Sequence, residues 1–434
     1  MDAIEKIGKH MLVDGYPLVL DLKKSHGCRL VDKKNNKTFL DFFSFFASSP
    51  VGMNHPAMME KDFLNNLAEV AVNKPSCSDI YTDEMGDFVE TFSRIGIPSD
   101  MPNLFLISGG ALAVENALKT SFDWKVRKNF SKGFEDEVGS QVIHFEQSFH
   151  GRTGYTLSLT NTFDPKKTKY FPKFPWPRVS NPKVTFPIED NFEQIVIAEE
   201  KSCQEIHDAI EKYGDDIACI LIEPIQAEGG DNHFRPQFFQ KLRQMADNHD
   251  ILLIYDEIQT GVGMTGKFWA YEHFGDAKPD ILCFGKKMQV CGILASDKIK
   301  EVENNVFEES SRINSTWGGN LTDIFRVTKY LEIIEKENLV DNAAKMGEYM
   351  LKQVKELQAD FPEKISNSRG RGLFTAFDLE SAEMRDQIKK DSYTKELLLL
   401  DCGEKTIRFR PYLNVTPEEI DECMSILRDV IKNL

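Results

Sequence analysis

Two charged positions stand where charge is costly. Ile251-Leu252-Leu253-Ile254-Tyr255 is an apolar run that ends on Asp256 and Glu257, and Ile281-Leu282-Cys283-Phe284 is a second run that reaches Lys286 and Lys287. Apolar runs of this length, bounded by Gly, Pro and polar residues, predict strands buried on both faces of a parallel sheet. The carboxyl ends of such strands open on one crevice, where ligands bind. Asp256 and Lys286 therefore face one ligand, although thirty residues separate them. Alone, Asp256 reads as a strand-end cap and Lys286 as a solvated lysine. Their joint placement weakens both plain readings.

A third group completes the set. Leu104-Phe105-Leu106-Ile107 predicts a short strand, Ser108-Gly109-Gly110 a turn, and the segment from Ala111 a helix with Val114, Ala117, Leu118, Ser121, Phe122 and Val126 on one face. A strand, a glycine turn and a helix start form an anion site, because the first helical N–H groups are unpaired and sit at the positive end of the dipole. The plain alternative is a tight turn that needs positive φ. One ligand needs a phosphate cradle, a strand-end carboxylate and a strand-end amine together: pyridoxal 5'-phosphate. Its aldehyde condenses with a lysine amine, its phosphate seeks the helix start, and its ring nitrogen keeps a proton beside a carboxylate.

The elements that hold these groups follow the same logic. Gln141-Val142-Ile143-His144-Phe145 and Ile217-Ala218-Cys219-Ile220-Leu221-Ile222 predict further strands, with helices over about 192–213 and 235–248. Strand and helix alternate from 104 to 286, the sign of right-handed βαβ units and an α/β fold. Before this unit, Pro17–Asp21, Cys28–Asp32 and Thr38–Asp41 predict short strands, and 57–98 is helical. Phe42, Phe43, Phe45 and Phe46 read as core, or as the wall of a pocket or interface. Residues 160–190 are rich in Pro, Lys and aromatics without periodicity, and predict an ordered excursion that lines a pocket or an interface. After 321 the chain is helical to about 360, with strands at Gly372–Phe377 and Thr406–Arg410. A last helix over about 417–432 carries Pro417 in its first turn.

Composition excludes several classes. Lys+Arg 53 against Asp+Glu 69 gives a net charge of -16 over 434 residues, which argues against a general nucleic-acid binder. No apolar run approaches the roughly 20 residues that a membrane helix needs. The eight cysteines have no CxxC pair or ladder spacing and fit a reduced, cytoplasmic compartment. No metal-ligand spacing is present.

Four motifs carry a family resemblance: Phe149-His150-Gly151-Arg152-Thr153, Glu223-Pro224-Ile225-Gln226, Asp256-Glu257-Ile258-Gln259-Thr260-Gly261 through Gly285-Lys286, and Thr316-Trp317-Gly318-Gly319-Asn320. In their order along the chain they resemble the class-III pyridoxal-phosphate aminotransferases over nearly its whole length. The chain departs from the family's common pattern at Met264, in the residues after Lys286, and in a helix start one residue longer. Those departures, with Lys287-Met288-Gln289-Val290-Cys291-Gly292 and Glu228-Gly229-Gly230, resemble the branch that acts as L-lysine 6-aminotransferases.

The resemblance implies a fold of type I: a large domain on a mostly parallel seven-stranded sheet and a smaller α+β domain from both termini, divided as 1–60, 61–314 and 315–434. It implies that Lys286 holds the cofactor and moves the proton. Gly110 and Ala111 hold the phosphate, Phe149 and Ile258 cover the two ring faces, Asp256 pairs with the ring nitrogen and Gln259 meets the ring hydroxyl. Thr316 reaches the phosphate in the neighbouring subunit of a homodimer. Arg152 receives the α-carboxylate of L-lysine, and Arg408 that of 2-oxoglutarate, with Glu228 pairing Arg408 when lysine binds. The products are glutamate and 2-aminoadipate 6-semialdehyde, which cyclises. Lys287 is the weaker lysine, Arg410 the weaker arginine, and His150 and His233 read as structural. Ornithine or 4-aminobutyrate as donor, an aminomutase and a cofactor-binding regulatory module are the rival readings.

Overall fold

A computed structural model of the chain describes residues 1–75 and 78–434. Cys77 lies outside the described residues; the other seven cysteines are free thiols.

The centre is a seven-stranded sheet in the order Asn103–Ile107, Cys291–Ala295, Ile281–Phe284, Leu252–Asp256, Ile217–Ile222, Gln141–Phe145, Arg178–Val179. Only Cys291–Ala295 runs against the rest. Ile217–Ile222, Leu252–Asp256 and Ile281–Phe284 are buried at every residue, as their continuous apolar character requires. The shared direction puts the ends of five strands on one edge: Asp256 ends its strand there, and Gly109, Ser148, Glu223 and Lys286 follow the ends of theirs. The Cys291–Ala295 strand is absent from the sequence reading: Cys-Gly-Ile-Leu-Ala is short, contains Gly292 and follows two lysines. Gly292 is required there, since a Cβ would lie 2.2 Å from the Phe105 carbonyl oxygen.

The Gly110–Ser131 helix buries more than the face expected of it. Val114, Ala117, Leu118 and Ser121 are buried, but so are Asp123, Trp124, Lys125 and Asn129. The helix is enclosed nearly all round, and its polar residues find partners: Asn129 donates to the Val138 and Asp215 carbonyls and Lys125 to that of Asp250.

There are two smaller sheets, and both ends of the chain meet in the first. Thr38–Asp41 pairs antiparallel with Arg29–Val31 and parallel with Leu397–Leu398. The other sheet runs Ile365–Arg371, Phe374–Leu379, Thr406–Phe409, Leu400–Cys402. The strand expected over Gly372–Phe377 starts two residues later, as Phe374–Leu379: Gly372, at φ +54°, and Leu373 make the hairpin turn before it. Pro17–Asp21 contributes only a bridge from Leu20 to Asp32. The aromatic run divides. Phe42 is in the core, whereas Phe46 is exposed on a left-handed turn in which Ser44 to Ala47 all have positive φ. Among the described residues no helix is long and apolar enough to cross a membrane.

Candidate active site

A cavity of about 760 Å³ opens at the strand-end edge, and Gly110, Ala111, Phe149, Arg152, Glu228, Asp256, Ile258, Gln259 and Lys286 all line it. Asp256 is buried at the end of its strand. Its Oδ1 accepts from the Ile258 N–H at 3.1 Å, and its Oδ2 lies 2.8 Å from His150 Nδ1. The other ring nitrogen of His150 is buried without a partner among the described residues. His150 is thus no isolated structural histidine; it fixes the Asp256 carboxylate. Glu223 fixes the backbone at Phe149: its Oε1 accepts from the Phe149 N–H at 2.9 Å and its Oε2 from the Ala227 N–H at 3.0 Å. Burial pushes the Glu223 carboxyl up to about 7.

Lys286 does not extend its strand. It follows Gly285 into a short 3-10 turn, Lys286–Met288, with φ +46°, a conformation that costs a non-glycine residue roughly 1–2 kcal/mol and is typical of functional sites. Burial, reinforced by Arg408 and Arg410, lowers its amine to about 7. A large neutral fraction at that value makes it a nucleophile and base near neutral pH. Lys287 points elsewhere because successive residues of a 3-10 turn diverge by about 120°. Its Nζ donates to the Gln259 carbonyl at 2.9 Å and the Ala47 carbonyl at 3.4 Å.

The helix start is built as an anion cradle. Gly109, at φ +106°, precedes Gly110–Ser131 and offers no side-chain cap, so the first N–H groups stay free. Gly151 lets the next loop press against them: at φ +137°, its Cβ would lie 2.5 Å from that of Ala111. Thr316 is exposed and lies outside the cavity of its own chain. Its loop is tied to the cradle by Ser108 Oγ, which donates to the Trp317 carbonyl at 2.7 Å.

Three arginines separate by environment. Arg152 is exposed at the cavity rim, makes no hydrogen bond or ion pair among the described residues, and stands 5.9 Å from the Phe149 ring centroid. Arg408 is buried. Its Nη2 donates to Glu228 Oε2 at 2.6 Å and its Nη1 to Gln259 Oε1 at 3.3 Å, while its Nε has no partner among the described residues. Arg410 is fully buried, grips Asp231 through both terminal nitrogens at 2.9 and 2.6 Å, and stacks 3.4 Å from the Phe374 ring centroid. It is committed to structure, which leaves Arg408 for a ligand. Gln259 Oε1 also accepts from Arg410 Nε at 3.0 Å, so the NH2 end of the amide is the one open to a ligand. Burial opposes charge on Glu228, but Arg408 and Lys167 outweigh it and hold the carboxyl below its ordinary value.

The comparisons agree with this geometry. The family model "Aminotransferase class-III" matches residues 11–431. The chain is a class-III aminotransferase. It is 47% identical over 428 residues to the L-lysine-epsilon aminotransferase of Mycobacterium tuberculosis, covering 98% of this chain and 94% of that protein. To the enzyme of the same name from Amycolatopsis lactamdurans it is 46% identical over 430 residues, again with 98% and 94% covered. The solved structure described as lysine aminotransferase from M. tuberculosis in the internal aldimine form superposes with a TM-score of 0.97 at 46% identity, covering 99% of this chain and 98% of that one. The fold is that of type I pyridoxal-phosphate enzymes, and pyridoxal 5'-phosphate is the cofactor of this aminotransferase.

The residues fit that group. A low-pKa lysine, a fixed carboxylate, an uncapped helix start and two walls, Phe149 and Ile258, line one cavity. Sequence reasoning missed three contributors to this aminotransferase site. His150 was legible from its place in Phe-His-Gly-Arg and Glu223 from its strand-end position. Lys167 lies in the excursion expected to line a pocket or an interface, but without periodicity nothing singled it out.

Proposed function

We propose that this aminotransferase moves the ε-amino group of L-lysine to 2-oxoglutarate, giving glutamate and 2-aminoadipate 6-semialdehyde. The observation that carries this reading is the masked arginine: Arg152 stands open at the rim, whereas Arg408 is covered by Glu228. A donor that brings one α-carboxylate finds Arg152 unpaired among the described residues, so its far amine is the end delivered to Lys286. A dicarboxylate acceptor needs both cations, and draws Arg408 away from Glu228. The names of the two bacterial relatives support the same substrate.

When bound, the cofactor supplies an electron-accepting ring for the carbon that loses its proton. Asp256, held by His150, keeps the ring nitrogen protonated, and Lys286 moves the proton at the reacting carbon. Gly110 and Ala111 offer the phosphate their N–H groups, Phe149 and Ile258 confine the ring, and Gln259 meets its hydroxyl. We also propose a cytoplasmic homodimer in which the exposed Thr316 reaches the neighbouring subunit's phosphate. The test is a donor panel with 2-oxoglutarate, read as glutamate formed. Lysine is expected to lead; faster turnover of ornithine or 4-aminobutyrate would overturn the substrate assignment.

A further inference from the structure

The acid that masks Arg408 has a second cation, and it comes from the irregular excursion. Asp164 caps the short Pro165–Lys167 turn, which sets Lys167 Nζ 2.6 Å from Glu228 Oε1 while Arg408 holds Oε2 at 2.6 Å. The carboxylate is shared, one oxygen to each cation. The Lys167 side chain is only 13% exposed, and its ammonium lies 5.7 Å from the Phe149 ring centroid, on the ring that Arg152 also approaches. Lys167 therefore belongs to the cluster that reads substrate charge.

We propose that Lys167 keeps Glu228 paired when Arg408 turns to an acceptor carboxylate, and so favours a dicarboxylate acceptor over a cationic donor. The inference rests on the function proposed above. With 2-oxoglutarate bound, Arg152, Lys167 and Arg408 balance Glu228 and the two ligand carboxylates. Without Lys167 the released Glu228 carboxylate sits unpaired beside a second carboxylate, and like charges at close range repel strongly where water is scarce. Lysine brings one carboxylate and its α-ammonium, so with a donor bound Lys167 adds to an excess of positive charge. Lys167 touches the acid and not the reacting atoms; it is a positioning residue.

The test uses the holoenzyme and the variants Lys167→Met and Lys167→Arg. Lys167→Met is expected to raise the ratio of KM for 2-oxoglutarate to KM for lysine about tenfold, the order one charge-assisted contact carries. Calorimetry with glutarate, a dicarboxylate with no keto group to react, should show a parallel loss of affinity, and Lys167→Arg should restore both. A loop anchor alone would lower kcat/KM for both substrates together and leave the ratio at its original value. That result, or unchanged glutarate binding, overturns the proposal. If the unmodified enzyme does not turn over lysine, the donor assignment fails, while the glutarate comparison still decides the role of Lys167.

Discussion

Replacing Glu228 by glutamine uncovers Arg408 with little change of shape. Arg408 is 1% exposed and its Nη2 lies 2.6 Å from Glu228 Oε2, so in the present enzyme an incoming carboxylate must displace a short charged contact. A hydrogen bond to a charged group is worth roughly 1.5–3 kcal/mol. Removing the charge while keeping an amide oxygen should hand most of that difference to any ligand whose α-carboxylate seeks Arg408. The ratio of half-reaction rates for glutamate over lysine should then rise by about tenfold to a hundredfold, since each 1.4 kcal/mol is about tenfold. Glutamine rather than alanine keeps a neutral acceptor beside a buried guanidinium, because stripping one partner from a buried pair costs roughly 3–5 kcal/mol. The assay is single-turnover mixing of the cofactor-loaded variant with each donor, followed by the change in cofactor absorbance. A ratio within about twofold of the unmodified enzyme would refute the masking argument.

The Lys286 amine titrates at about 7 in the fold against 10.5 as its ordinary value, so the unfolded chain holds the extra proton across that window. Stability of the cofactor-free protein should therefore gain a rising component from pH 7 to 10.5, and Lys286→Met should remove it, as read from urea midpoints at both ends of the window. Gly151→Ala places a Cβ 2.5 Å from that of Ala111; overpacking of this kind costs roughly 1–3 kcal/mol, so the variant should lose cofactor on dialysis. Full retention would show that this loop is not the cradle's second wall.

How much of this was legible in the sequence depends on whether a local pattern carried it. Leu252–Asp256 and Ile281–Phe284 were readable because a strand buried on both faces leaves a continuous apolar run, and the final helix because Thr416, Pro417 and Glu419 signal a start that the structure caps in that way. Cys291–Ala295 and the polar Ile365–Arg371 strand were not, because pairing with neighbours made them strands where local composition did not. At the site, residue types and strand-end positions pointed to Asp256 and Lys286. Lys167 meets Glu228 across 61 residues through a loop with no period, and only the folded chain shows that contact. The open nitrogen of His150 and the commitment of Arg410 to Asp231 are likewise facts of packing.

The central claim is that nitrogen leaves the far end of lysine. Lysine labelled with heavy nitrogen at Nε, incubated with the enzyme and 2-oxoglutarate, should pass its label to glutamate, while lysine labelled at the α-nitrogen should leave glutamate unlabelled and keep the label in the cyclised product. Glutamate labelled from the α-nitrogen would contradict the account directly.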